Sequence, residues 1–262
     1  MKNLISLIFV FIICSSFGEL VIDEYSVIKV IGGIKHSKNN KSLFTGDKVL
    51  SNEKLKFEEN SSKAALISKL KGRFMLQASA SGTVNEGLLP ALSNVSSRAG
   101  ALLNTIDLQN HFVDKFLVLK GCSIQISSSS FPMNEENFFF LRFDNNGEEI
   151  SKKLSFSEDN LLFKADEILK VDGKAISLKV GTKVALMYRN ANDGTSTKIS
   201  VFEPIFVNEK VLKDECKLII YELGNELDSE TKKEQILAYL TENYGKPHQE
   251  NLNSWLKQNF AL

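Results

Sequence analysis

Few side chains in this sequence could do chemistry: three histidines and three cysteines stand beside 32 acidic residues. His36, His111 and His248 lie far apart, no two histidines stand at i, i+4, and no Cys-x-x-Cys occurs, so the spacing of zinc ligands is missing. Nucleophilic hydrolysis needs a base beside its nucleophile, and there is no Gly-x-Ser-x-Gly elbow. His111, next to Phe112 and after Asp107, reads as a structural histidine held against packed side chains. Paired carboxylates do the work of glycosidases. Here Glu135-Glu136, Glu148-Glu149 and Glu158-Asp159 fall at turns or strand ends, where solvated charge is ordinary. Asp193-Gly194 lacks the alternating oxygen ligands and final Glu of a calcium loop and reads as a hairpin turn. The spacing assigns no catalytic residue, no metal ligand and no cofactor.

The densest aromatic feature runs from Phe138 to Phe143. On a strand, successive side chains point to opposite faces. Phe139, Leu141 and Phe143 then share one face, with Phe138, Phe140 and Arg142 on the other. A strand covered on both sides, by the terminal helices or a connector, would bury both sets. Left uncovered, Phe138, Phe140 and Arg142 make a binding patch for a protein or glycan. Lys69, Lys71 and Arg73 read as the charged guard of an edge strand rather than an anion site. Cys122 and Cys216 have two readings. Paired, they close a loop of about 95 residues worth ~4 kcal/mol; unpaired, each is a small apolar residue buried in a strand.

The elements that must position these residues divide the chain in five. Lys2, the apolar run Leu4–Cys14 and the small residues Ser16 and Gly18 read as a cleaved secretory signal over 1–18, too short to span a bilayer. Cys14 follows Ile13, which argues against a lipid anchor. Short strands punctuated by Gly32-Gly33, Gly46-Asp47 and Gly72 predict a small, curved β-barrel over 19–76. Residues 77–114 are poor in charge yet carry Leu88, Leu89, Leu92, Leu102, Leu103 and Ile106, which predicts a docked connector. Hairpin signals at Asn146-Gly147, Asp172-Gly173 and Asp193-Gly194 predict a larger antiparallel β domain over 115–224, with Lys217–Leu223 as its last strand. Over 225–262, Asp228 or Ser229 caps one helix, Gly245 stops it and Pro247 begins a second; this helical hairpin must pack its apolar stripes on the preceding sheet. The fold class expected is mainly β, of α+β type.

The segment 19–76 resembles the SH3-like or FecR-like small barrels of bacterial envelope proteins. Across the mature chain, Val30-Ile31-Gly32, Gly46-Asp47-Lys48-Val49, Lys71-Gly72-Arg73-Phe74, Arg98-Ala99-Gly100-Ala101-Leu102-Leu103-Asn104, Phe131-Pro132-Met133-Asn134 and Val171-Asp172-Gly173 resemble an uncharacterised family of secreted envelope proteins from Bacteroidota. That resemblance implies location and architecture and carries no activity. Basic and acidic residues balance at 32 each, which removes any bulk attraction to nucleic acid. The expectation is an exported, periplasmic or extracellular protein without a transmembrane segment after signal cleavage, binding an envelope protein or cell-wall polymer without catalysis. A secreted hydrolase working through carboxylates is the alternative, and it requires a deep pocket with two acids of raised pKa.

Overall fold

The computed structural model describes residues 22–79, 82–91, 100–192 and 194–262. The signal segment with Cys14, the connector residues 92–99 including Arg98, and Asp193 lie outside the described residues. The chain is mainly β, with antiparallel sheets and C-terminal helices.

The N-terminal strands are β1 (Glu24–Ile31), β2 (Ile34–His36), β3 (Lys48–Leu50), β4 (Leu55–Phe57), β5 (Lys63–Ser68) and β6 (Gly72–Gln77). The one-turn α1 (Val84–Gly87) and the strand β7 (Leu88–Pro90) follow. They form a five-stranded sheet in the order β3-β1-β5-β6-β7, with β2 and β4 paired separately. The expected barrel does not close: β3 and β7 end the sheet and do not pair with each other. The reason lies in the alternation along β1 and β5. Tyr25, Val27, Ala64 and Leu66 enter a small core with Ile34, Leu43, Val49 and Leu55. Ile28, Ala65 and Ile67 turn to the opposite face and meet helices. A sheet that is apolar on both faces is satisfied by layers on either side, not by closure.

Next come α2 (Thr105–His111), β8 (Lys115–Val118), β9 (Cys122–Gln125), β10 (Phe138–Asn145), β11 (Glu148–Lys153), β12 (Ser155–Ser157) and β13 (Asn160–Phe163). The short α3 (Ala165–Ile168), β14 (Lys170–Val171), β15 (Lys174–Ala175), β16 (Val184–Asn190) and β17 (Thr195–Phe206) complete this region. The strands β11-β10-β16-β17 are antiparallel neighbours, and β8 then joins β17 in parallel, so the expected antiparallel sheet is mixed at that end. Asn146 and Gly147 (φ 57 and 91°) make the predicted hairpin between β10 and β11, and Asp172-Gly173 (φ 47 and 78°) joins β14 to β15. A second sheet, β12-β13-β9, covers the first and encloses the largest core, which holds Phe112, Phe116, Phe139, Phe163 and Phe202.

Lys217–Leu223 is not a strand. It is the second half of α4 (Glu209–Leu223), capped by Asn208, whose side chain accepts from the Lys210 N–H at 2.9 Å. Leu212, Cys216 and Ile219, spaced four and then three apart, are its buried stripe, a helical period masked by the apolar run that follows. Cys216 therefore sits on a helix in one core and Cys122 on a strand in another, and both thiols are free. The disulfide reading falls with that placement. Burial pushes the Cys122 thiol up to about 12 and raises that of Cys216, which disfavours the thiolate at both.

The chain ends with α5 (Ser229–Asn243), β18 (Lys246–Pro247) and α6 (Gln249–Phe260). Asp228 caps α5 as predicted, accepting from Thr231 N–H at 2.7 Å. The two helices do not meet in a simple hairpin. Between them β18 pairs in parallel with β8, and a Cβ on Gly245 (φ 118°) would come within 2.5 Å of the Lys115 carbonyl oxygen. Helices α4, α5 and α6 pack on β8 and on the outer face of the N-terminal sheet, not on the Phe138–Phe143 strand. Strand β8 is the joint, with Phe116 and Val118 in the large core and Leu117 in the helical one. Among the described residues no helix is long and apolar enough to cross a membrane.

Candidate functional site

Buried and half-buried polar side chains cross the seam between the N-terminal sheet and the helices. Residues that pair across antiparallel strands share a face, so Ser26, Lys48 and Arg73, which pair in register with one another or with Ile67, point with Ile67 toward the helices. A bulge between Val27 and Lys29 adds one residue to β1 and pairs Lys29 with Ala65, turning the lysine to the same side. Polar contacts across the seam result. The Lys29 ammonium lies 3.3 Å from the centroid of the Tyr244 ring. Tyr244 Oη donates to the buried Glu215 carboxyl, 2.6 Å from Oε2. Arg73, buried, donates to Gln235 Oε1 at 3.1 Å and Glu242 Oε2 at 3.3 Å on α5. At the far end, Ser26 Oγ and Lys48 Nζ both donate to Glu222 Oε1, the lysine at 2.9 Å.

Beside this last contact the seam opens into a cleft of about 380 Å³. It is lined by the start of β1 (Ile22, Asp23, Glu24), Lys48 of β3, the turn after β5 (Ser68, Lys69, Leu70) and the end of α4 (Tyr221, Glu222). Its floor is ionic. Burial opposes the charge on Glu222, but the bonds from Ser26 and Lys48 outweigh it and hold the carboxyl below the ordinary range. Its rim is apolar and open to solvent: Ile22 is 50% exposed, Leu70 85% and Tyr221 72%. Lys71 ties the rim down through its ion pair with Asp23.

Paired-carboxylate chemistry needs an accessible acid held protonated near neutral pH. Glu222 is held ionised. The carboxyl that burial pushes upward is Glu215, enclosed beneath Tyr244 and away from the cleft lining. Among the described residues no group of three or more His, Cys, Asp or Glu is arranged to hold a metal ion. The arrangement suits contact rather than turnover, with a rigid floor and a rim of side chains that gain by leaving water.

The residues singled out by sequence are scattered. Phe138 and Arg142 are half-buried and Phe140 is buried on the outer face of β10, with the Lys153 ammonium 4.5 Å from the Phe138 ring and the Arg142 guanidinium 5.5 Å from that of Phe140. The chain's own cations cover these rings, so the aromatic patch is largely occupied. Lys69, Lys71 and Arg73 part company: one lines the cleft, one pairs with Asp23 and one is buried against α5. Strand β6 is flanked by β5 and β7, so these residues guard no edge there. The acid pairs at Glu135, Glu148 and Glu158 lie at turns and strand ends, all exposed but Asp159, which is half-buried. Ile22, Leu70, Tyr221 and Glu222 were not legible as a site. The one local signal was Leu70, an apolar residue inside the charged turn Lys69-Leu70-Lys71.

No family model, curated protein or solved structure matches the chain.

Proposed function

We propose that this chain is an exported, non-catalytic binding protein of the cell envelope, and that it holds a protein partner at the cleft between the N-terminal sheet and α4. The observation that carries the reading is the trio Ile22, Leu70 and Tyr221, exposed side by side around an ion-paired floor. Isolated exposed apolar residues are normal, whereas a contiguous group rimmed by polar ones marks contact surfaces. The leader-like first 18 residues and the resemblance to secreted Bacteroidota proteins support the location. The alternative, a hydrolase using carboxylates, is disfavoured by an ionised Glu222 and an enclosed Glu215.

The test uses the chain from residue 19 onward, immobilised against an envelope extract and, separately, against purified cell-wall polymer. Capture of a defined protein that is lost in Leu70→Asp and Tyr221→Ala, and retained in Arg142→Ala, supports the reading. Equal capture by all variants, or binding to polymer alone, overturns it. Circular dichroism of each variant keeps loss of binding separate from loss of fold.

A further inference from the structure

We propose that His111 and His248 form an acid-sensitive latch, in which two uncharged imidazole rings hold the segment 100–112 against the start of α6 and acidification releases that segment while the helical layer stays folded. His111 is the last residue of α2, and His248 is the N-cap of α6, where its side chain makes no capping bond. The ring centroids are 5.0 Å apart. His248 is 2% exposed, and His111 also packs on Phe112 and Phe116, at 5.0 and 5.5 Å. His111 Nε2 and both ring nitrogens of His248 are buried without a hydrogen-bond partner. Buried polar atoms are seldom left this way. The arrangement is tolerable only for neutral rings, because an unpaired imidazolium in an apolar setting costs far more than an unpaired neutral imidazole.

The charges around the pair set the response. From β18, Lys246 adds repulsion to His111. From α6, Glu250 Oε2 stands 4.0 Å from His248 Nε2 and is the available counter-charge. From β8 and the end of α2 come the uncharged rings of Phe116 and Phe112. The other oxygen of Glu250, Oε1, accepts the Gly100 N–H at 3.0 Å and so ties down the start of the same segment. A proton on His248 draws Glu250 away from Gly100, sets an imidazolium against His111 and places positive charge at the positive end of α6. Three consequences of one protonation therefore act on the segment 100–112.

The direction with pH follows. Burial, then His248 and Lys246, press His111 down to about 3, and burial lowers His248 despite Glu250. Once released, each ring takes its proton near pH 6.5. The released form then binds more protons, so docking is complete above that value and weakens as pH falls below it, by about tenfold per pH unit for each histidine that stays neutral while docked. Leu102, Leu108 and Phe112, part of the large core, are the surface that opens.

The chain has three histidines, and His36 bonds Glu53 in the N-terminal region, so His36→Gln isolates the pair. Amide hydrogen exchange read by mass spectrometry at pH 7.5 and 5.0, with times scaled for the intrinsic rate, follows each segment of that variant. The expected result is at least a tenfold loss of protection over 100–112 at pH 5.0, with α4 and α5 unchanged. Adding His111→Phe and His248→Gln together abolishes the acid response, and either change alone weakens it, because one ring remains to titrate. Equal protection at both pH values, the same acid loss in the Phe or Gln variant, or simultaneous loss across all segments would each overturn the latch.

Discussion

Lys29 and Arg73 are cations placed where strands would ordinarily offer apolar side chains to a helix, and they respond differently to burial. Burial, against the pull of Glu215, brings the Lys29 ammonium down to about 8. An unfolded lysine keeps its proton to about pH 10.4. Between these values the unfolded chain binds the extra proton, so stability rises with pH across that window, and below it Lys29 subtracts from stability. Urea midpoints should therefore place Lys29→Met above the wild type at pH 7, with the gap narrowing by pH 10; a constant gap would remove the desolvation argument. Arg73 has two acceptors on α5, both half-buried, and Arg73→Ala should cost about 1–3 kcal/mol, the scale of leaving such groups without their partner. Trp255 is 4% exposed and packs edge-on to Phe260 at 5.5 Å. Trp255→Ala should cost about 3–5 kcal/mol, and native tryptophan emission should be blue-shifted, moving red on unfolding.

Element boundaries depend on local chemistry, and element identity depends on neighbours. The cap at Asp228 and the turns at Asn146-Gly147 and Asp172-Gly173 form where their residue types demand them. Strand β18 does not follow from its residues: Lys246 and Pro247 become a strand because β8 offers an edge and Gly245 lets the chain approach it. Gly245→Ala combines a positive φ with a Cβ 2.5 Å from a carbonyl oxygen. It should cost at least about 2 kcal/mol and loosen α6, which a red shift and faster quenching of Trp255 in the folded variant would report. Unchanged emission would mean that α6 is held by its apolar stripe alone.

At the scale of the molecule, the helical core joins distant stretches of chain. Ile28, Ala65, Ile67 and Met75 from the N-terminal sheet pack in one cluster with Leu117, Leu212, Ile236 and Leu252. A sheet sharing its outer face with the helices cannot lose them without exposing that face. Denaturation followed by Trp255 emission, which reports the helices, and by far-ultraviolet circular dichroism, which reports all elements, should give coincident transitions. Two separated transitions would show that the seam is not cooperative.

The strands over 25–76, the turns at Asn146-Gly147 and Asp172-Gly173 and both terminal helices, apart from the expected start of the second at Pro247, which lies in β18, were legible from the sequence because period, caps and turn residues act within a few neighbours along the chain. The apolar run Lys217–Leu223 was not, since a short run reads equally as a buried strand, and only the packing of Leu212, Cys216 and Ile219 with α5 and α6 settles it as helix. Closure of the N-terminal sheet was likewise undetermined locally: alternation says that β1 and β5 have two apolar faces and not what covers the second. The cleft was beyond reach for the same reason. Leu70 and Tyr221 are 151 positions apart and meet because the outer face of one sheet must be covered, and α4 is what covers it.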